Sequence, residues 1–89
     1  MGEEEKLKAT ILFKLIRKRK WGGSHMPLDR VKRLVPSHLR GNAEEIIRDL
    51  IREGLALVKP THYGEELSLN PNQAEAVYSI VKKYFSVEF

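Results

Sequence analysis

Nine basic side chains fall within residues 14–40 (Lys14, Arg17, Lys18, Arg19, Lys20, Arg30, Lys32, Arg33 and Arg40), with one acid among them, Asp29. From residue 60 onward the balance turns, with four acidic residues against two basic ones. A small domain that gathers its positive charge into one half fits a polyanion partner, because fixed cations on one surface sum to a field that attracts a chain of phosphates. A solvated charged surface is the plainer account of the same run. The chain as a whole carries a formal charge of +4.

Other chemistries find little to work with. There is no cysteine, which removes disulfides, thiolate nucleophiles and cysteine-held zinc, and fits a reducing compartment. His25, His38 and His62 stand in three separate loops without a carboxylate at motif spacing, so neither a hydrolytic triad nor a zinc site is indicated. Gly22-Gly23 is too short for a phosphate loop and lacks the following lysine. The sequence therefore predicts no enzyme, no metal, no cofactor and no small-molecule ligand. No apolar run approaches the roughly 18 residues of a membrane span, and Glu3-Glu4-Glu5 is the opposite of a signal peptide's basic start. A cytoplasmic protein without a membrane partner is expected. Eighty-nine residues make one domain at most, with no spare core for a deep active site.

The elements that position the charges are organised around residues 36–55, PSHLRGNAEEIIRDLIREGL. Asn42 followed by Glu45 is a capping-box pattern. Ala43, Ile46, Ile47, Leu50 and Ile51 recur at three- and four-residue steps, the stripe of an amphipathic helix. Gly54 can close it in the left-handed conformation, so a helix is predicted over residues 42–53. Residues 55–69 read as a hairpin: strands at 55–59 and 66–69 around a turn at 60–64.

Upstream, Leu7, Ile11, Leu12, Leu15 and Ile16 predict a first helix over 3–20, acidic at its start and basic at its end as the helix dipole prefers. Gly23-Ser24-His25-Met26 also spells a tag-cleavage junction, but the patterned helix before it supplies core and argues that it belongs to the domain. His25-Met26 is expected as a short strand beside the hairpin, and Trp21 as a plug over the corner between helix and strand. Pro27 starts a second helix over 28–35, which Pro36 ends. Leu39 is expected to tuck under both neighbouring helices. Asn70-Pro71 caps a last helix over 71–85, Asn as cap and Pro at the first position. Its apolar residues Val77, Tyr78, Val81, Tyr84 and Phe85, with Phe89 beyond, exceed what one contact needs, and predict either a homodimer contact or packing on the first helix. The predicted architecture is one domain over 1–89, mainly α with a small β-hairpin: helix, short strand, helix, helix, strand, turn, strand, helix. That is the order of a winged helix-turn-helix.

Residues 6–70 resemble the small archaeal winged helix-turn-helix proteins. The resemblance rests on GGSHMPLD (22–29), PSHLRGNAEE (36–45), IREGLALVKPTHYG (51–64) and SLNP (68–71). It implies the fold, binding of double-stranded DNA and, commonly, a role in transcription regulation. It would lay the third helix in the major groove with its N-terminal residues toward base edges. His38, Arg40, Gly41, Asn42, Glu44, Glu45, Arg48 and Arg52 then face outward. Arg48 is the expected base reader, since a guanidinium bonds O6 and N7 of guanine together. Asn42 can pair with adenine, in competition with its capping role. Arg40 and His38 suit phosphate, as do Arg30, Lys32 and Arg33 on the second helix, while Lys59, His62 and Tyr63 would serve the wing. Glu44, Glu45, Asp49, Glu65 and Glu66 run against this reading; Glu45 is assigned to the capping box and Glu44 to a pair with Arg48. The alternative is a winged helix that docks proteins and does not bind DNA, since fold alone does not settle function.

Overall fold

The computed structural model of the chain describes residues 2–87. Helix α1 (Gly2–Arg17) begins with Glu3, Glu4 and Glu5 and ends with Lys14 and Arg17, each sign set against the opposite pole of the helix dipole. Its buried stripe is Leu7, Ile11, Leu12 and Leu15. It stops at Arg17 and does not run on to Lys20. Arg19 takes φ +56°, its N–H donates to the Ile16 carbonyl (2.9 Å), and the Lys20 N–H donates to Leu15 (3.0 Å). Those two bonds close the helix in a left-handed cap.

Trp21 makes a parallel bridge to Leu69 and meets Tyr78 edge-on at 5.6 Å, so it packs half-buried against the core beside those two residues. Strand β1 (Met26–Pro27) starts one residue later than predicted, and His25 stands before it. Helix α2 (Leu28–Lys32) is shorter than 28–35. Its continuation tightens into three-residue turns, with the N–H of Arg33, Leu34 and Val35 donating to Arg30, Val31 and Lys32. The Lys14 ammonium donates to the Leu34 carbonyl and satisfies one of the acceptors this ending leaves over.

A 3-10 turn, Ser37–Leu39, leads straight into α3 (Arg40–Arg52). The helix therefore begins two residues before Asn42. No side chain caps it, and Asn42 and Glu45 lie exposed on its first turns. The capping box is corrected. The buried face is Ala43, Ile46, Ile47 and Leu50, with Ile51 and Leu39 packed at its margin. Gly54, at φ +76°, closes α3 with the same pair of bonds that ends α1.

Strands β2 (Ala56–Thr61) and β3 (Gly64–Leu69) pair antiparallel from Ala56↔Leu69 to Thr61↔Gly64, and β1 pairs with the other edge of β3. Pro60 thus lies in an edge strand, where a missing N–H is tolerated. The hairpin turn is the two residues His62 and Tyr63. Thr61 Oγ1 braces them, donating to the Gly64 carbonyl (2.9 Å) and accepting from the Tyr63 N–H (3.2 Å).

Asn70 accepts from the Asn72 N–H (3.0 Å) and starts a 3-10 turn at Pro71–Gln73, from which α4 (Ala74–Lys82) continues. The α-helix ends three residues short of the predicted 85. Val77 and Val81 are wholly enclosed, Phe85 stacks on Phe13 at 4.9 Å, and Tyr84 donates to Glu5 (2.8 Å), so α4 packs on α1. The buried side chains of all four helices and the sheet make one cluster. Among the described residues no helix is long and apolar enough to cross a membrane.

Candidate nucleic-acid interface

The outward face of α3 and the tip of the β2–β3 hairpin stand side by side. They share a groove with α2 that Asp29, Lys32, Glu44, Arg48, Tyr63 and Glu65 line. The short hairpin explains the meeting: a two-residue turn brings Glu65, the second residue of β3, against the middle of α3. Arg48 Nη2 donates to Glu65 Oε1 at 2.6 Å and Nη1 to Oε2 at 3.3 Å. The bond from Arg48 holds the Glu65 carboxyl below the ordinary carboxylate range, and it holds the Arg48 guanidinium above its ordinary value.

Two expectations about charge are affected. Arg48 is half-buried and engaged with Glu65, so reading a base would mean exchanging that carboxylate for the base. Glu44 pairs with Lys32 (3.4 Å), which also approaches Asp29 (3.9 Å); it is not the partner of Arg48. Asp49 pairs with Arg52 within the helix. Three of the acids that ran against nucleic-acid binding, Glu44, Asp49 and Glu65, are thus each matched by a cation.

The remaining predicted site residues divide by availability. Arg40 and Asn42, on the first turn of α3, are exposed, and their side chains have no hydrogen-bond or ion-pair partner among the described residues. His38 is exposed in the 3-10 turn, and Arg30 and Arg33 are exposed at the end of α2. Lys59 is exposed on β2 opposite Glu66. His62 and Tyr63 project from the braced tip, Tyr63 with its whole side chain in solvent. Arg52 is exposed but shares its charge with Asp49.

Of the residues expected at a dimer contact, Val77 and Val81 lie inside the chain's own core and offer nothing to a second copy. Tyr78, Tyr84 and Phe85 are half-buried, against Trp21, Glu5 and Phe13 in turn. Phe89 lies outside the described residues.

Sequence reasoning missed Glu65 as the partner of Arg48 and Thr61 as the brace of the tip. The Thr-x-x-Gly spacing at 61–64 was a usable signal for the second; nothing local marks the first. Among the described residues no three of His, Asp or Glu gather closely enough to hold a metal ion. Comparison with protein-family models, with curated proteins and with solved structures finds no match to this chain.

Proposed function

We propose that the chain is a winged helix-turn-helix protein that binds double-stranded DNA and acts in transcription regulation. In this reading α2, the 3-10 turn and α3 form the helix-turn-helix, and the β2–β3 hairpin is the wing. The supporting observation is the two-pronged Arg48–Glu65 contact, which ties the hairpin to the helix. It ties the hairpin to the middle of α3, so the helix and the tip residues His62 and Tyr63 can act as one surface with little ordering on binding. Arg40 and Asn42 enter the major groove from the N-terminal turn of α3. They take over the base-reading role from Arg48, while Arg30 and Arg33 meet phosphates.

The direct test is a salt titration of binding to random-sequence duplex, followed by selection of a preferred sequence. Arg40→Ala is expected to cost about 1–3 kcal/mol on the preferred site and to relax specificity at one position, the behaviour of a base reader. Equal losses on every sequence would make Arg40 a phosphate contact.

One observation favours the protein-docking alternative: the paired acids leave the groove between α3 and the hairpin with three carboxylates against two cations. Absence of duplex binding at low salt decides for that reading. Among the described residues, the candidates left for a homodimer contact through α1 and α4 are the half-buried Tyr78, Tyr84 and Phe85, and a sizing experiment on the free protein tests it.

A further inference from the structure

We infer that a basic strip running from the end of α1 to α2 is a sequence-independent binding surface for the phosphodiester backbone of duplex DNA, and that it supplies most of the salt-dependent affinity. The inference rests on the reading that the partner is duplex DNA, but apart from Arg30 it concerns residues outside that reading. Lys18, Lys20, His25 and Arg30 line one open groove together with Met26 and Pro27, and no acid lines it. Lys18 also lines a neighbouring groove with Lys14 and Arg17. Joined at Lys18, the two make a path of five permanent cations. Helix α2 gives Asp29 and Lys32 to the mixed-charge groove beside α3, and Arg30 to this one.

Lys8–Glu53, Lys32 with Asp29 and Glu44, Arg48–Glu65 and Arg52–Asp49 form ion pairs, and none of these pairs lies in the strip. Lys18, Lys20 and Arg30 have no carboxylate partner among the described residues. Uncompensated cations in a row gain most from a partner that repeats its negative charge, because each neutralised phosphate releases a condensed counterion. An open path fits a polymer better than a single anion.

The backbone beneath the strip is fixed. The Lys20 carbonyl accepts from the Leu69 N–H at 2.7 Å, and the Gly22 N–H donates to the Leu69 carbonyl at 2.9 Å, so the segment after α1 is tied to the end of the sheet. A lipid surface is a poorer match. The large exposed apolar residues among those described are Leu57 and Tyr63, neither in the strip, so the strip offers no large apolar side chain to enter a membrane.

The test uses the intact chain and random-sequence duplex, comparing Lys18→Gln/Lys20→Gln/Arg30→Gln with Arg40→Ala/Asn42→Ala. The triple variant is expected to flatten the slope of log affinity against log salt by roughly two to three and to weaken binding to unrelated sequences equally, while the α3 variant changes the slope by about one at most. A Lys18→Arg/Lys20→Arg/Arg30→Lys variant keeps the charge and should keep the slope; loss of slope there overturns the proposal. So does an unchanged slope in the triple variant while the parent binds. A flattened slope in the triple variant with no effect from Arg40→Ala/Asn42→Ala on any sequence keeps the strip and removes the role of α3. Tighter binding to phosphatidylserine vesicles or single-stranded RNA than to duplex, lost in the triple variant, overturns duplex DNA as the partner. No binding of the parent chain to duplex at low salt overturns both this inference and the function on which it rests.

Discussion

Arg48 on α3 and Glu65 on β3 hold one another by two hydrogen bonds, at 2.6 and 3.3 Å, across seventeen positions of sequence. The contact fixes the hairpin against the helix and at the same time occupies the fork that would suit guanine. Glu65→Gln removes one anion from the groove and loosens the guanidinium. The expected outcome, if the contact pre-organises the surface, is weaker binding to all duplexes, read by salt titration. Tighter binding would mean that the removed charge outweighs holding the hairpin in place.

The same pair sets a pH response. The hydrogen bond from Arg48 lowers the Glu65 carboxyl, opposed by its partial desolvation and reinforced by the Arg48 charge. The folded value lies below the unfolded one, so the stability it contributes is full above the unfolded value and is lost as pH falls through the folded one. Thermal melts in acid should therefore fall more steeply for the parent chain than for Glu65→Gln.

Glu5 and Tyr84 give responses at both ends of the pH scale. The Tyr84 hydroxyl lowers the Glu5 carboxyl, and the Glu5 carboxylate raises the Tyr84 phenol. The Glu5 contribution is lost as pH falls through its depressed value. The Tyr84 contribution is present below the ordinary phenol value and is lost as pH rises through the elevated one. Tyr84→Phe should flatten the melting temperature in alkali and remove part of the acid dependence. An ultraviolet titration should place Tyr84 above the ordinary tyrosine range.

Two helix ends share one geometry with different residues. Arg19 at φ +56° and Gly54 at φ +76° both take the left-handed conformation that closes a helix. A side chain there costs roughly 1–2 kcal/mol. Arg19→Gly should raise stability by about 1 kcal/mol after the glycine's greater freedom in the unfolded chain is subtracted. Gly54→Ala should lose about 1–2 kcal/mol from the backbone alone, since an added Cβ would meet nothing within 4 Å. Urea denaturation measures both.

Asn70 joins two elements with one side chain. Its Oδ1 accepts from the Asn72 N–H (3.0 Å), and its Nδ2 donates to the Gly54 carbonyl (2.8 Å). Asn70→Ala should cost about 1–2 kcal/mol, the scale of a lost cap with a lost hydrogen bond. Asn70→Asp keeps the cap and loses the donor, so its loss should be smaller. Equal losses would place the whole effect in the bond to Gly54.

The sequence by itself determined what depends on neighbours within a turn or two of the chain. The apolar stripes of Leu7 to Leu15 and Ala43 to Leu50 and the stop at Gly54 follow from local spacing and backbone preference and stand as read, while Asn70 caps as expected but starts a 3-10 turn that leads into α4. Element ends already needed more. Asn42 has the composition of a cap, but the 3-10 turn after Pro36 carries the chain into α3 before it is reached. Side-chain partners needed the whole fold. Glu44 is four residues from Arg48, but it meets Lys32 because α2 lies alongside, and Arg48 meets Glu65 because a two-residue hairpin ends beside α3. Val77 and Val81 vanish into the interior because α4 lies on α1. Lys18 and Arg30 line one groove because the bonds at Leu69 turn the chain back between them. Long charged side chains carry little preference of their own for a partner. The packing of the core places the elements, and that placement decides which charges come together and which are left for another molecule.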